Sequence, residues 1–233
     1  MVDLSVTMYK IATAKSFGIS DENINNIFIK KDYNDKIMAL VATSLQSMLI
    51  GQFAANGILG QSSTQLAAAL SQGITLNILA TAQVSTVDTG TAGAGVGSSK
   101  VLGVNPGALT PMMIGQFAAQ GMLGTMSTAL ANAISNAFCI WFLASNQTTT
   151  VHSGVGAGVG QGVVTGLSPS AMANMITGMM AANGLLGTYS PKLANAIGNS
   201  IVPHIMALGT VITPIAGPPS PTASSGTGSG KVL

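Results

Sequence analysis

The sequence predicts a mainly α-helical fold made of three αα-hairpin repeats of about 64 residues, joined by glycine-rich extended or β arms. A ten-residue phrase that begins at Gly51 returns in closely similar form at Gly115 and at Gly178. Such regular spacing indicates repeated structural units rather than one catalytic domain with a unique pocket. Within each unit apolar residues recur every four positions, which is the spacing of one face of a helix.

The edges of this pattern divide the chain into four parts. Residues 1–36 are predicted to be a charged N-terminal adaptor segment, in which Ser20 is a candidate N-cap of a short helix. Repeat 1 covers 37–104, and repeat 2 covers 105–167. Repeat 3 covers 168–233 and carries an extended C-terminal arm.

The first helix of repeats 2 and 3 has a marked beginning. Thr110 precedes Pro111 in repeat 2, and Ser168 precedes Pro169 in repeat 3. Ser or Thr at the N-cap with proline at the first helical position is a common helix start, because that N–H has no intrahelical partner. These pairs predict helices that begin at 111 and 169.

Each first helix is expected to end at a glycine. Gly57, Gly121 and Gly184 occupy the same position of the three repeats. Glycine adopts the left-handed conformation that follows a helix C-terminus without steric cost. A second helix then follows a turn of about five residues, so each unit is predicted to be an αα-hairpin.

The second helices are predicted to begin at serine and to share one apolar face. Ser190 precedes Pro191, and Ser63 and Ser127 align with Ser190 as N-caps. Pro203 lies inside the third of these helices and should kink or end it. The residues expected on the apolar face are Leu66, Leu70, Ile74, Ile78, Leu130, Ile134, Phe138, Phe142, Leu193, Ile197, Ile201 and Ile205.

A Gly/Ser/Thr-rich segment follows each hairpin, over 89–102, 154–164 and 226–233. By composition such segments are flexible linkers. Their period-two alternation, as in 95–97, also fits extended strands that pair with another chain. Strand addition of this kind uses main-chain hydrogen bonds and needs few special side chains. We therefore expect the arms to join neighbouring chains.

Charge is scarce in this chain. Only 6% of residues are charged, 47% are hydrophobic, and arginine is absent. Beyond residue 36 the charged residues are Asp88, Lys100, Lys192 and Lys231. Three interpretations compete: a membrane protein, a protein covered by copies of itself or by partners, and a monomer with an uncharged polar surface. The last is disfavoured because dispersed monomers generally carry net charge, and nucleic-acid binding is disfavoured because it needs clustered basic residues.

No motif predicts catalysis or a bound cofactor. Residues 228–231 resemble part of a phosphate loop, but Ser225 stands where that motif needs glycine and Val232 where it needs Ser or Thr. Paired carboxylates for acid–base hydrolysis are absent beyond residue 36. We predict that the protein is not an enzyme, with no catalytic, cofactor-binding or metal site, no cofactor and no small-molecule substrate.

The histidines and the cysteine have structural interpretations. His152 and His204 lack carboxylate or cysteine companions at metal-ligand spacing, and are predicted to be a loop histidine and a helix-side histidine. Cys139 lies in an apolar run, which predicts a buried, inert thiol. The thirteen methionines are interpreted as adaptable packing residues.

The alternative to an assembly is a membrane-inserted or pore-forming helical protein. Residues 37–59 carry no charge and are long enough to span a bilayer. Polar residues such as Gln46 and Gln52 interrupt this window, and basic flanks that would set a topology are missing. A third possibility is a binding module with a shallow groove between hairpins. No secretory signal is expected at the N-terminus.

Helical hairpins joined by Gly/Thr/Val-rich connectors, over roughly residues 40–233, resemble structural proteins in the virions of tailed bacteriophages. The resemblance implies a tail, baseplate or head-associated part whose arms lace neighbouring subunits together, and it carries over no functional residues. We therefore predict a non-enzymatic structural subunit of a large assembly, localised in a virion. Its expected partners are other structural proteins and copies of itself.

Overall fold

The computed structural model describes residues 42–91, 94–152, 157–216 and 224–232, all within one compact unit that covers Val41–Leu233. Side chains are described over 42–84, 97–148, 151 and 162–209. The predicted N-terminal segment, its boundary at residue 36 and its candidate cap Ser20 lie outside the described residues.

The described residues form six helices and six strands, in the order α, α, β, β three times. The first group is α1 (42–55), α2 (Gln61–Thr81), β1 (Gln83–Thr91) and β2 (Ala94–Leu102). The second is α3 (Pro106–Ala119), α4 (Thr125–Ser145), β3 (Gln147–His152) and β4 (Ala157–Thr165). The third is α5 (Pro169–Ala182), α6 (Tyr189–Leu208), β5 (Thr210–Ala216) and β6 (Ser224–Val232). The fold is thus mainly helical with an antiparallel sheet.

The helices pack both within a hairpin and between successive hairpins. Helix α2 packs on α3, and α4 packs on α5. Helices α1 and α6 meet at a cavity that both of them line. The predicted apolar face is confirmed: nine of its twelve residues are buried, and the other three, Ile78, Leu130 and Leu193, pack against the core while partly exposed.

The six strands close into an antiparallel barrel in the order of the chain, with β6 next to β1. We expected the glycine-rich arms to pair with neighbouring chains, but the structure pairs them with one another. The second helices all end at the barrel, so the arms emerge together, and closing the ring satisfies every strand edge. Val84, Val101 and Val164 join the barrel to the helical core.

The Asn146 side chain extends the barrel toward the helices. Its Oδ1 accepts from the backbone N–H of Val101 at 2.6 Å, and its Nδ2 donates to the Val101 carbonyl at 3.1 Å and to the Phe142 carbonyl at 2.6 Å. At the corresponding junction after α6, the backbone N–H of Val164 donates directly to the Gly209 carbonyl at 3.2 Å. The side-chain amide of Asn146 therefore replaces a main-chain pair between β2 and β3.

The helix starts agree only in part with the predictions. Ser168 is the N-cap of α5, as predicted, and its Oγ accepts from the N–H of Ala171. Helix α3 begins five residues earlier than predicted, because Asn105 caps it and Pro106 occupies the first position. Pro111 is inside that helix, where the carbonyl left without a partner belongs to exposed Gly107.

The second helices begin one or two residues before the predicted serine caps. They start at Gln61, Thr125 and Tyr189. The serine hydroxyls donate backwards instead of capping, as when Ser63 Oγ donates to the Gly60 carbonyl at 2.6 Å and Ser190 Oγ to the Leu185 carbonyl at 3.0 Å.

A kink or an end was expected at Pro203; helix α6 continues through Pro203 to Leu208, so the end is wrong. Proline leaves the carbonyl four residues earlier without its helical donor. That carbonyl belongs to Asn199, which is exposed, so water can take the place of the missing bond.

Candidate functional site

The turns between paired helices have one hydrogen-bonded geometry in all three hairpins. Gly57, Gly121 and Gly184 have φ of 73°, 75° and 73°, which confirms their predicted role as helix-ending residues. In the first turn the N–H of Ile58 donates to Phe53 and that of Gly57 donates to Ala54. This pair of bonds is a Schellman motif, and equivalent bonds close the other two turns.

Each of these turns exposes one leucine. Leu59, Leu123 and Leu186 directly precede the glycine at the end of the turn, and they are 75%, 76% and 78% exposed. The fixed turn geometry places the neighbouring residue, Ile58, Met122 or Leu185, against the core. We call the surface formed by the three exposed leucines the tip face.

The tip face lies at the end of the helical hairpins remote from the barrel. Helices α2, α4 and α6 run from the turns to the strands, and each contains 20 or 21 residues. At 1.5 Å per residue they separate the turns from the barrel by about 30 Å. The three leucines are therefore presented together at one end.

Between the second and third turns the surface has an open apolar groove with a volume of about 300 Å³. Its lining consists of Met122, Met126, Ser127, Leu130, Met180, Leu185, Leu186, Tyr189, Ser190 and Leu193. Lys192 is the only charged residue beside it among the described side chains, and its Nζ lies 5.3 Å from the centroid of the Tyr189 ring. A surface this apolar and this poor in charge is typical of a protein–protein contact.

A second, smaller cavity of about 40 Å³ lies where the first and third hairpins meet. Leu45 of α1, Thr75 of α2, Phe142 of α4 and His204 of α6 line it, with apolar neighbours. His204 is 5% exposed and neither ring nitrogen has a hydrogen-bond partner, so burial lowers the pKa of its imidazole. The volume is enough for about three water molecules.

At the position of His204, each of the three hairpins has a side chain that can form hydrogen bonds. The corresponding residues are Asn77 in α2 and Trp141 in α4, and both are buried. Asn77 Oδ1 and Trp141 Nε1 also lack hydrogen-bond partners. The sequence pattern had indicated His204 as a helix-side residue but gave no sign that it is buried.

The residues considered for chemistry do not form a site in the described part of the chain. His152 is the last residue of β3 and not part of a loop. Cys139 is buried, as predicted, and burial raises the pKa of its thiol to about 12. Among the described residues, no three His, Cys, Asp or Glu side chains are close enough to hold a metal ion.

One described helix, Thr125–Ser145, is long and apolar enough to cross a membrane. Half of its most apolar window is buried within the protein, where Phe138, Trp141 and Phe142 pack together. Its apolar character therefore has an explanation in core packing.

Neither a family model, nor a curated protein, nor a solved structure matches this chain.

Proposed function

We propose that this chain is a non-enzymatic structural subunit of a large assembly, the virion of a tailed bacteriophage, and that it joins copies of itself through the tip face. We further propose that its three α, α, β, β groups are three copies of one unit of about 64 residues. The observation that carries the proposal is the equal exposure of Leu59, Leu123 and Leu186 at one end of the molecule.

Equal exposure at three equivalent positions favours a contact that uses all three turns. A turn needs only one residue facing inward, and Ile58, Met122 and Leu185 already serve this role. The outward leucine is thus not required for the fold. Apolar side chains repeated on an uncharged surface lose contact with water only when a partner covers them.

The partner of the tip face is a second copy of the same face. Homo-oligomers are most often closed by a twofold axis, in which the same surface of each subunit meets itself. Two copies that meet tip to tip bring three leucines against three leucines. Because Lys192 is the only charged described side chain near these turns, little charge repulsion opposes the contact.

The experiment compares self-association of two triple variants by analytical ultracentrifugation over a range of concentrations. The tip variant carries Leu59→Ser, Leu123→Ser and Leu186→Ser. The control carries Leu102→Ser, Val151→Ser and Val163→Ser, which replace exposed apolar residues of the barrel. The wild-type chain and the control should sediment as multiples of 23.2 kDa at concentrations at which the tip variant is still largely monomeric.

Equal association of the tip variant and the wild type would contradict the tip contact. The virion assignment is tested separately, with a gold-labelled antibody against the chain on purified virus particles. Binding of the wild-type chain to neutral phospholipid vesicles, lost in the tip variant, would favour a membrane surface over a second copy as the partner of the tip face.

A further inference from the structure

The last described strand, β6, pairs with the first described strand, β1. Its pairing with β1 is continuous, with Val84 opposite Gly230 and Gly90 opposite Ser224. Between 102 and 106, and between 165 and 169, the chain itself connects successive groups of elements. At the β1–β6 junction, which we call the seam, neighbouring strands are joined by non-covalent contacts only.

The pairing of β6 with its sequence neighbour β5 is interrupted. Val211 and Ile212 pair at one end of the ladder, and Ile215 and Ala216 pair at the other. Pro214 lies in the gap between them, and proline has no N–H to donate. Strand β6 is therefore held more continuously by β1 than by its own hairpin partner.

The connection before β6 is the longest of the three hairpin connections. The strand bounds leave two residues between β1 and β2, four between β3 and β4, and seven, 217–223, between β5 and β6. Those seven include Pro218, Pro219 and Pro221. A longer connection lets the strand that follows it reach farther.

The sequence of β6 offers few side chains that would anchor it in one particular barrel. Of its nine residues, SSGTGSGKV, only Val232 is apolar, and three are glycine. Main-chain hydrogen bonds therefore account for most of its attachment. The same bonds are available from β1 and β5 of any other copy of this chain.

We propose that β6 exchanges between copies, leaving its own barrel and pairing with β1 and β5 of a second copy. This inference rests on the proposed function, since it supplies a second contact between copies in an assembly. Exchange re-forms every hydrogen bond of the closed barrel, so it costs little at equilibrium when copies are concentrated. Exchange that passes from copy to copy without closing a ring would link them into a chain.

Mixed single-cysteine variants test the exchange directly, in a Cys139→Ala background. Ser85→Cys chains are mixed with Ser229→Cys chains, whose cysteines are register partners across the seam. Val87→Cys with Thr227→Cys gives a second pair. After concentration and oxidation, each mixture should give a disulfide-linked species at twice the 23.2 kDa mass on a non-reducing gel.

The matched control mixes Ser98→Cys chains with Thr149→Cys chains. These residues are register partners in β2 and β3, at the corresponding junction inside the chain. β2 leads directly into α3 and β3 follows directly on α4, so neither strand can leave the barrel without disturbing packed helices, and the control should show no linked species above background. Failure of both seam mixtures to exceed this control overturns the exchange.

The tip variant separates this inference from the proposed function. Repeating the seam mixtures with Leu59→Ser, Leu123→Ser and Leu186→Ser should leave the linked species unchanged. If the seam mixtures do not link while the wild-type chain still associates through its tips, strand exchange fails and the proposed function stands.

Discussion

The helical hairpins and the barrel are stabilised in different ways. In the hairpins, large side chains such as Phe117, Phe138 and Phe142 are fully buried, and the rings of Phe138 and Phe142 stack on each other. The strands are rich in glycine, serine and threonine, and main-chain pairs between neighbouring strands join them. The comparison teaches that the helices depend on side-chain packing, whereas the barrel depends on backbone pairing and on register.

Truncating the core of the hairpins should give the largest effect. Phe138 is fully buried, and its ring stacks on Phe142 with centroids 5.4 Å apart. Phe138→Ala removes these contacts and leaves a cavity, so the free energy of unfolding should fall by about 3–5 kcal/mol. Denaturant unfolding followed by circular dichroism measures the change.

Val163→Ala in β4 is the matched truncation in the barrel. Val163 is 47% exposed, so its loss should cost less than about 1 kcal/mol. Similar losses of unfolding free energy in Phe138→Ala and Val163→Ala would contradict the distinction between side-chain packing in the hairpins and backbone pairing in the barrel.

At the junction of β2 and β3 the Asn146 side chain takes the place of a main-chain hydrogen-bonding partner. Asn146→Ala leaves the buried N–H and carbonyl of Val101 without partners, so we expect a loss of about 2–4 kcal/mol in unfolding free energy. Asn136→Ala is the control, because its amide donates only to the Asn132 carbonyl of its own helix. An effect of Asn146→Ala no larger than that of the control would show that register alone holds β2 to β3.

His204 makes the helical region sensitive to pH. Burial lowers the pKa of this imidazole below its ordinary value of 6.5. The unfolded chain therefore binds a proton that the folded chain excludes, and stability falls as the pH drops below about 6.5. Unfolding free energies at pH 5 and pH 7 measure this fall.

His204→Phe should remove most of the pH dependence, because the replacement cannot be protonated. His152→Gln is the control and should retain it. If His152→Gln removed the pH dependence of stability and His204→Phe retained it, the titrating group would lie in the barrel and not in the helices.

Two glycines of the second hairpin should give the smallest effects, with opposite signs. Gly121 has φ of 75°, a conformation that alanine disfavours, so Gly121→Ala should cost about 1 kcal/mol. Gly115 lies within α3 and a Cβ there would meet nothing within 4 Å, so Gly115→Ala should stabilise by about 0.5–1 kcal/mol. Thermal unfolding of both variants measures the difference, and equal shifts would contradict the Schellman geometry.

The sequence predicted the hairpins because their signals are local. Gly57, Gly121 and Gly184 were recognised as helix ends, and the four-residue spacing of apolar residues marked the buried faces. The start of α3 was misplaced because Asn105–Pro106 and Thr110–Pro111 are both plausible cap pairs, and only Asn105 accepts the capping hydrogen bond.

Closure of the barrel could not be predicted in the same way. A strand made of glycine, serine and threonine does not specify its neighbour through side chains. The sequence therefore predicts extended arms, but it does not indicate that the arms pair with one another. Asn146 gave no local signal either, because its partner Val101 lies 45 residues earlier in the chain. The tip face could not be predicted because nothing in the sequence distinguishes the exposed Leu59, Leu123 and Leu186 from the inward-facing residues beside them.

Because β6 completes the ring, the barrel remains open until residues 224–232 have been synthesised. During synthesis β1 and β5 each present an unpaired edge, with little nearby charge to discourage pairing with other nascent chains. Stop codons placed before residue 224 should therefore yield aggregated protein, even though every helix is already present. The nine residues of β6 would then decide whether the protein aggregates.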